Sequence, residues 1–418
     1  MRAGASVALW AAIASAFLPS CLSAAPSHVS IAPDGGVRVD GQPFLPVGVE
    51  GIEAAWGTNE VLQRLADAGL DTVHWAPAAD TAADPAALAQ SLVRRCRQHG
   101  LWAVVSLAPP SDVMDLEADE EGLPAEDRRA RLTTIVKACK DEPNLLAYAA
   151  CPEALWNGYS PAGMAAGYQY VHGLDPDHLV WVSHAPRGSQ ESPAEHALIG
   201  GYLSSCDATG VSLFPVPDEV MDSNLAGPDG WPIGGPPGVG AYAHLLRRIT
   251  ESGERPRSLW MGLQGCSWSD ISPQLTDMRY PTREELRFMA LDAIGAGANG
   301  VFFHGVGRVG PEAPFWADLL GAAGDLRPLL EALASPRPAQ QPTTDPSTVS
   351  AFCAAAGPRR FVVVLNRTGD PAQATVRLPG GFGAPKGVLG PAPTKAEGGS
   401  VTLELPPYGS AVLEGAGG

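Results

Sequence analysis

Acidic and imidazole side chains that follow apolar runs are the residues of this chain with chemistry to offer. Glu153 closes the run Tyr148 to Pro152, Glu50 closes Phe44 to Val49, and Asp270 stands five residues past the run Ser258 to Gly265. A carboxyl group at the mouth of an apolar strand, as Glu153 is beside Cys151, Pro152 and Leu155, is expected to lose solvation and gain pKa, which suits a general acid. A structural carboxylate paired with an arginine is the other reading. Glu50 and Asp270 are the candidate second carboxylates. His74, His184 and His304 fall near run ends as well, together with Glu53, Asp80, Asp112, Arg187, Asp218 and Arg308.

Aromatic residues crowd the same places. Trp56, Trp75, Trp156, Tyr159 and Trp268 all lie beside run ends, where flat rings can stack on the apolar faces of a ligand ring. Any one of them can equally be packing. Gln264, at the end of the run Ser258 to Gly265, has two readings: a hydrogen-bonding partner for a ligand, or a satisfied polar residue inside the fold.

Eight apolar runs position these groups: 44 to 52, 70 to 77, 101 to 109, 145 to 153, 178 to 186, 209 to 217, 258 to 265 and 299 to 306. Each is nearly continuous, as a strand buried on both faces requires. Amphipathic stretches such as NEVLQRLADAG and TREELRFMALDAIGAGA separate them, several opening on Asn, Asp or Thr and closing on Gly. Eight strand and helix units predict a (β/α)8 TIM barrel over 44–335, with working residues at the C-terminal strand ends. An open doubly wound sheet would more often show a Gly-rich phosphate turn after its first strand, and none is present. Residues 26–43, with Asp34-Gly35 and Asp40-Gly41, predict a β-hairpin prelude under the barrel. The Pro-rich stretch 336–346 reads as a linker, and the alternating runs of 347–418 as a small C-terminal antiparallel β domain.

A formal net charge of −17 over 418 residues argues against nucleic acid and anionic membrane surfaces as partners. Residues 1–25 carry one Arg, an apolar run from Ser6 to Leu18 and then small residues, the pattern of an export signal. Leu18-Pro19-Ser20-Cys21 resembles a lipobox, so a lipid anchor at Cys21 is the alternative to soluble export, periplasmic or extracellular. No other run is long enough for a membrane helix. The seven cysteines show no CxxC pair and no Cys/His zinc spacing. Cys96 and Cys139, near the ends of successive helices, are open to pairing in an oxidising compartment, or to remaining free thiols.

The segment LLAYAACPEALW is similar to the fourth strand of clan A glycoside hydrolases, where an aromatic leads into Asn-Glu-Pro or Asp-Glu-Pro. GGVRVDGQPFLPVGV, LADAGLDTVHW, TGVSLFPVP, SLWMGLQGCSW and YPTREELRFMALDAIGAGANGVFF follow in the order expected of secreted members, so the resemblance spans roughly residues 30 to 335. It implies an exported protein acting on the glycosidic bonds of a poly- or oligosaccharide. Glu153 falls on the acid/base glutamate; His74, His304, Gln264 and the aromatics, all beside run ends, are the candidate substrate-binding residues. The alternative is a catalytically silent carbohydrate-binding protein. Two departures stand out. Pro152 replaces the residue that would hold the sugar 2-hydroxyl, and Gln264 occupies the place of the strand-seven nucleophile, where an amide cannot form a glycosyl ester. Hydrolysis would then use Glu153 as proton donor and a water or substrate group as nucleophile, with Glu50 or Asp270 as the second carboxylate; inversion, which stays open beside retention, needs that base roughly 6.5 to 9.5 Å from the acid. A metal-dependent hydrolase is disfavoured, because the HxH pair on the first strand and the Asp on the eighth that such barrels use are both missing. No cofactor is expected.

Overall fold

The computed structural model describes residues 25–76, 84–108, 113–117, 124–151, 153–186, 195–218, 234–272 and 274–417. Residues 1–24, with Cys21, and the candidates Asp80, Asp112, Pro152 and Arg187 lie outside the described residues.

Three short antiparallel strands come first: β1 (Val29–Ile31), β2 (Val37–Val39) and β3 (Gln42–Phe44). Asp40 and Gly41 both take positive φ, 50° and 80°, as a two-residue hairpin turn matched to strand twist requires. The expected prelude is therefore one strand richer than a hairpin. Its Val29, Val37 and Val39 pack with Trp181, Trp260 and Phe302 from inside the barrel, which closes the lower end.

Eight parallel strands then form a closed barrel: β4 (Val47–Ile52), β5 (Thr72–Trp75), β6 (Trp102–Ser106), β7 (Leu145–Ala149), β8 (Leu179–His184), β9 (Ala208–Leu213), β10 (Ser258–Gln264) and β11 (Gly300–His304). Seven lie within their predicted apolar runs, and β9 begins one residue before its own. Capping fixes the helices between them: Thr58 accepts from Val61 N to start Asn59–Ala68, which stops at Gly69 with φ 93°, and Thr282 and Glu285 form a capping box at Arg283–Gly295. The connection after β8 departs from the pattern. It is a 3-10 helix, Glu195–Ser205, whose paired Gly200 and Gly201 disfavour an α-helix.

Beyond the barrel stand two four-stranded antiparallel sheets, with strands β12 (Thr343–Asp345), β15 (Ala372–Arg377), β18 (Ser400–Leu405) and β17 (Lys395–Glu397) in one. The other holds β13 (Val349–Ala356), β14 (Arg359–Asn366), β19 (Ser410–Ala416) and β16 (Lys386–Leu389). β12 falls inside the stretch read as linker. Three residues are too few for alternation to mark, and the strand is held by pairing of Thr343 with Arg377 and Asp345 with Thr375. The second sheet packs against helix Arg283–Gly295, where Arg287 Nε donates to Ser410 Oγ at 2.8 Å and Arg367 pairs with the buried Asp292. The six cysteines of the described residues are buried free thiols, Cys96 and Cys139 among them, and Cys96 Sγ accepts from Trp75 Nε1 at 3.3 Å. No helix among the described residues is long and apolar enough to cross a membrane.

Candidate functional site

Register alone brings the key polar residues together. Gln264 of β10 pairs with His304 of β11, which pairs with Glu50 of β4, so three neighbouring strands present a polar row at the upper, C-terminal end. One layer lower, Trp181, Trp260 and Phe302 fill the barrel with ring centroids 5.1 to 5.4 Å apart. Between them opens a cavity of about 290 Å³, lined by Glu50, Glu53, His74, Ser106, Cys151, Trp181, Ser183, His304 and Arg308, with glycines 51, 305 and 307 and alanines 76, 108 and 149.

Glu50 is buried, with Oε2 3.2 Å from His304 Nδ1, an ion-pair contact outside hydrogen-bond geometry. Ser212 donates to the same oxygen at 3.3 Å. That reach depends on Gly262, since a Cβ there would stand 2.2 Å from Ser212 Oγ. Burial raises the Glu50 pKa, but the charge of His304, with smaller help from His74 and Ser212, outweighs it and holds the carboxyl below its ordinary 4.5. Burial also works against a charged His304, and the Glu50 anion overcomes it, so this imidazole keeps its proton above the ordinary 6.5. The pair is an anion and a cation fixed side by side in the cavity wall.

His74 behaves oppositely. Ser106 donates its one hydroxyl proton to Trp75 O at 2.9 Å, so it accepts from His74 Nε2 at 2.9 Å. That leaves His74 Nδ1 as a bare acceptor, buried and without a partner among the described residues. Burial, and secondarily repulsion from His304, push this histidine down to about 4 despite the attraction of Glu50, so the ring is neutral.

Gln264 does not line the cavity. Its Oε1 accepts from Val216 N at 2.7 Å, and its Nε2 donates to Val216 O at 2.6 Å and Cys266 O at 3.1 Å, with the side chain fully buried. Glu153 is exposed, with φ 52° and without the apolar enclosure expected from its neighbours, though its charge is still felt at His304. Asp270 is half-buried and serves helix Trp268–Ile271, accepting from Ser267 N at 2.8 Å and from Tyr280 Oη at 3.1 Å.

The aromatics expected to gather in one pocket are dispersed, and none of the five lines the cavity. Trp75 is buried against the helix carrying Cys96, and Trp56 donates to Val309 O at 3.1 Å and packs on Trp316 at 5.2 Å. Trp156 is 61% exposed, and Tyr159 packs against the core beside Tyr202, which donates to its carbonyl at 2.6 Å. Trp268 donates to Phe214 O at 3.0 Å and meets the Phe214 ring, which in turn lies 4.9 Å from His304. His184 faces outward onto Tyr202, buried, with burial pushing it down to about 3.

Trp181, Ser106, Ser183 and Ser212 were missed. Side-chain alternation could have found Trp181 and Ser183: in β8 the inward residues are one and three before the terminal His184. Among the described residues, no three His, Cys, Asp or Glu side chains converge as a metal would require.

No protein-family model matches the sequence, and no curated protein matches it. Solved structures do. A glycoside hydrolase family 5 protein from Bacteroides vulgatus ATCC 8482 aligns at a TM-score of 0.64 with 12% identity, over 93% of this chain and 94% of that one. A family 30 endoxylanase from Clostridium papyrosolvens C71 aligns at 0.55 with 14% identity, over 90% and 97%. An Anoxybacillus α-amylase aligns at 0.57 with 11% identity, over 86% and 90%. At these identities the likeness is one of fold, and the chain has the barrel fold that these glycoside hydrolases share.

Proposed function

We propose that the protein is an exported, glycoside hydrolase-like barrel that holds a carbohydrate in the Glu50–His304 cavity and does not cleave it through a covalent glycosyl-enzyme. The observation that carries this reading is Gln264. The position where a retaining enzyme of this fold would keep its nucleophile is filled by an amide whose hydrogen-bonding atoms are taken up by Val216 and Cys266. An ion pair, a neutral imidazole acceptor and an indole, in a cavity at the strand ends, are the groups that recognise a polyhydroxylated ring. Export rests on the apolar run Ser6 to Leu18, with lipidation at Cys21 as its variant.

One observation favours a second reading, in which the glycosidic bond is hydrolysed with inversion. Glu50 is kept ionised inside the cavity, as a base for water must be, while the exposed Glu153 supplies the proton. Assaying a panel of aryl glycosides and polysaccharides with wild type and Glu153→Gln separates the two. Turnover that falls a hundredfold or more in Glu153→Gln supports hydrolysis, on the usual scale of general acid catalysis. Binding with no turnover in either protein supports the first reading, and neither binding nor turnover rejects both.

A further inference from the structure

We infer that the cavity is a blind pocket for one uncharged terminal sugar ring, with His74 Nδ1 accepting a ring hydroxyl and Ser106 acting as the positioning residue that sets the His74 tautomer. The inference rests on the carbohydrate reading above and deepens it.

Closure comes first. The floor is Trp181, whose ring is backed by Phe302 at 5.1 Å and Trp260 at 5.4 Å, so nothing passes down the barrel. On the side of β9 and β10, Gln264 pins Val216 through two hydrogen bonds and the Phe214 ring lies 4.9 Å from His304. A polymer entering from that side would have to displace that wall. At about 290 Å³ the space sits at the small end of ligand pockets, which run from roughly 300 to 1,000 Å³.

Polarity comes second. His74 is 8% exposed, and its Nδ1 has no partner among the described residues, an unusual state for a buried polar atom. Because Ser106 gives its proton to Trp75 O and takes one from His74 Nε2, Nδ1 presents only a lone pair. A hydroxyl satisfies it; a carboxylate, with no proton to offer, does not. The neighbouring Glu50 anion repels a carboxylate as well, while its own charge is matched by His304. Arg308, exposed at the mouth, is where a uronate would be held instead, so uronates form the opposing arm of the test.

The test is calorimetric titration of the full chain with D-glucose, D-galactose, D-mannose and D-xylose, di- and trisaccharides ending in each, and D-glucuronate and D-galacturonate. The inference predicts that at least one neutral monosaccharide binds, that added rings change its affinity by less than threefold, and that uronates bind at least tenfold more weakly. Ser106→Ala should weaken binding about tenfold, the worth of one misdirected hydrogen bond, and shift the ¹⁵N resonances of His74 toward mixed tautomers. Ser106→Thr should restore both. Affinity that climbs tenfold or more with each added ring, a preference for uronates, or a folded Ser106→Ala with unchanged binding and tautomer overturns the pocket and leaves the carbohydrate reading standing. If no sugar binds, both fall together.

Discussion

Gln264 and Val216 are joined by two hydrogen bonds, the amide oxygen accepting from Val216 N at 2.7 Å and the amide nitrogen donating to Val216 O at 2.6 Å. The side chain thus completes a backbone pairing that β10 cannot make with the loop after β9. It does the work of a staple.

Placing a carboxylate there should therefore not create glycosidase chemistry. In Gln264→Glu an acceptor-only group would face the carbonyls of Val216 and Cys266 in a fully buried site, an unpaired charge of the kind that costs roughly 3 kcal/mol or more. We expect a clear loss in urea unfolding free energy and no gain of glycosidase activity. Retained stability together with new activity would contradict the staple.

Glu50 sets the charge of its partner. Removing the anion in Glu50→Gln leaves burial and Arg308 acting on His304 against only the weaker pull of Glu153, so its pKa should fall from above 6.5 to below it. An NMR titration of the His304 ring in both proteins checks this. An unchanged midpoint would mean the ion pair is not formed in solution.

The buried histidines should each cost the fold stability as pH falls. His74 and His184 are held by burial at about 4 and about 3, whereas in the unfolded chain each takes a proton near 6.5. Between those values each of these histidines binds more protons in the unfolded state and costs stability as pH drops from 6.5 toward 4, by on the order of 3 kcal/mol for His74. The buried Asp71 and Asp292, raised to about 7 and about 6, bind more protons in the folded state and offset much of that loss. Glu50, whose pKa is depressed, adds to the loss only below its ordinary 4.5. Urea unfolding at a series of pH values should show His184→Phe gaining stability relative to wild type as pH falls from 6.5 toward 4. A difference between the two proteins that does not change with pH contradicts the assignment.

The C-terminal sheets are tied to the barrel through a charge. Asp292 is raised to about 6 by burial, against the pull of Arg367, which also donates to Pro237 O at 3.1 Å. Arg367→Ala strands a buried carboxylate and should cost about 3 to 5 kcal/mol in chemical unfolding. A loss under 1 kcal/mol would show that the pair is not maintained.

Much of the barrel was legible because strands buried on both faces leave unbroken apolar runs, and all eight strands match theirs to within one residue. Runs of that kind conceal direction. His74 and Trp75 are adjacent and both were read as facing a ligand, yet alternation sends one into the cavity and the other onto Cys96. The same parity takes His184 out of the site and brings Trp181 in. Glu50 and His304 were legible as strand-end residues, but their pairing comes from register across the closure of the barrel, between its first and last strands, which no local pattern encodes. Ser106 and Ser212 could not have been singled out, because their roles depend on a carbonyl one strand away and on the missing side chain of Gly262.

The central claim is that the cavity holds a carbohydrate without a covalent route to its cleavage. One NMR experiment tests it most directly: saturation transfer from the protein to a panel of oligosaccharides, with the anomeric signals followed in the same samples. We predict transfer to the protons of a terminal ring, abolished in Glu50→Ala, with anomeric signals that do not change over days. Absence of transfer to every sugar, or appearance of a cleaved product with retained anomeric configuration, would contradict it.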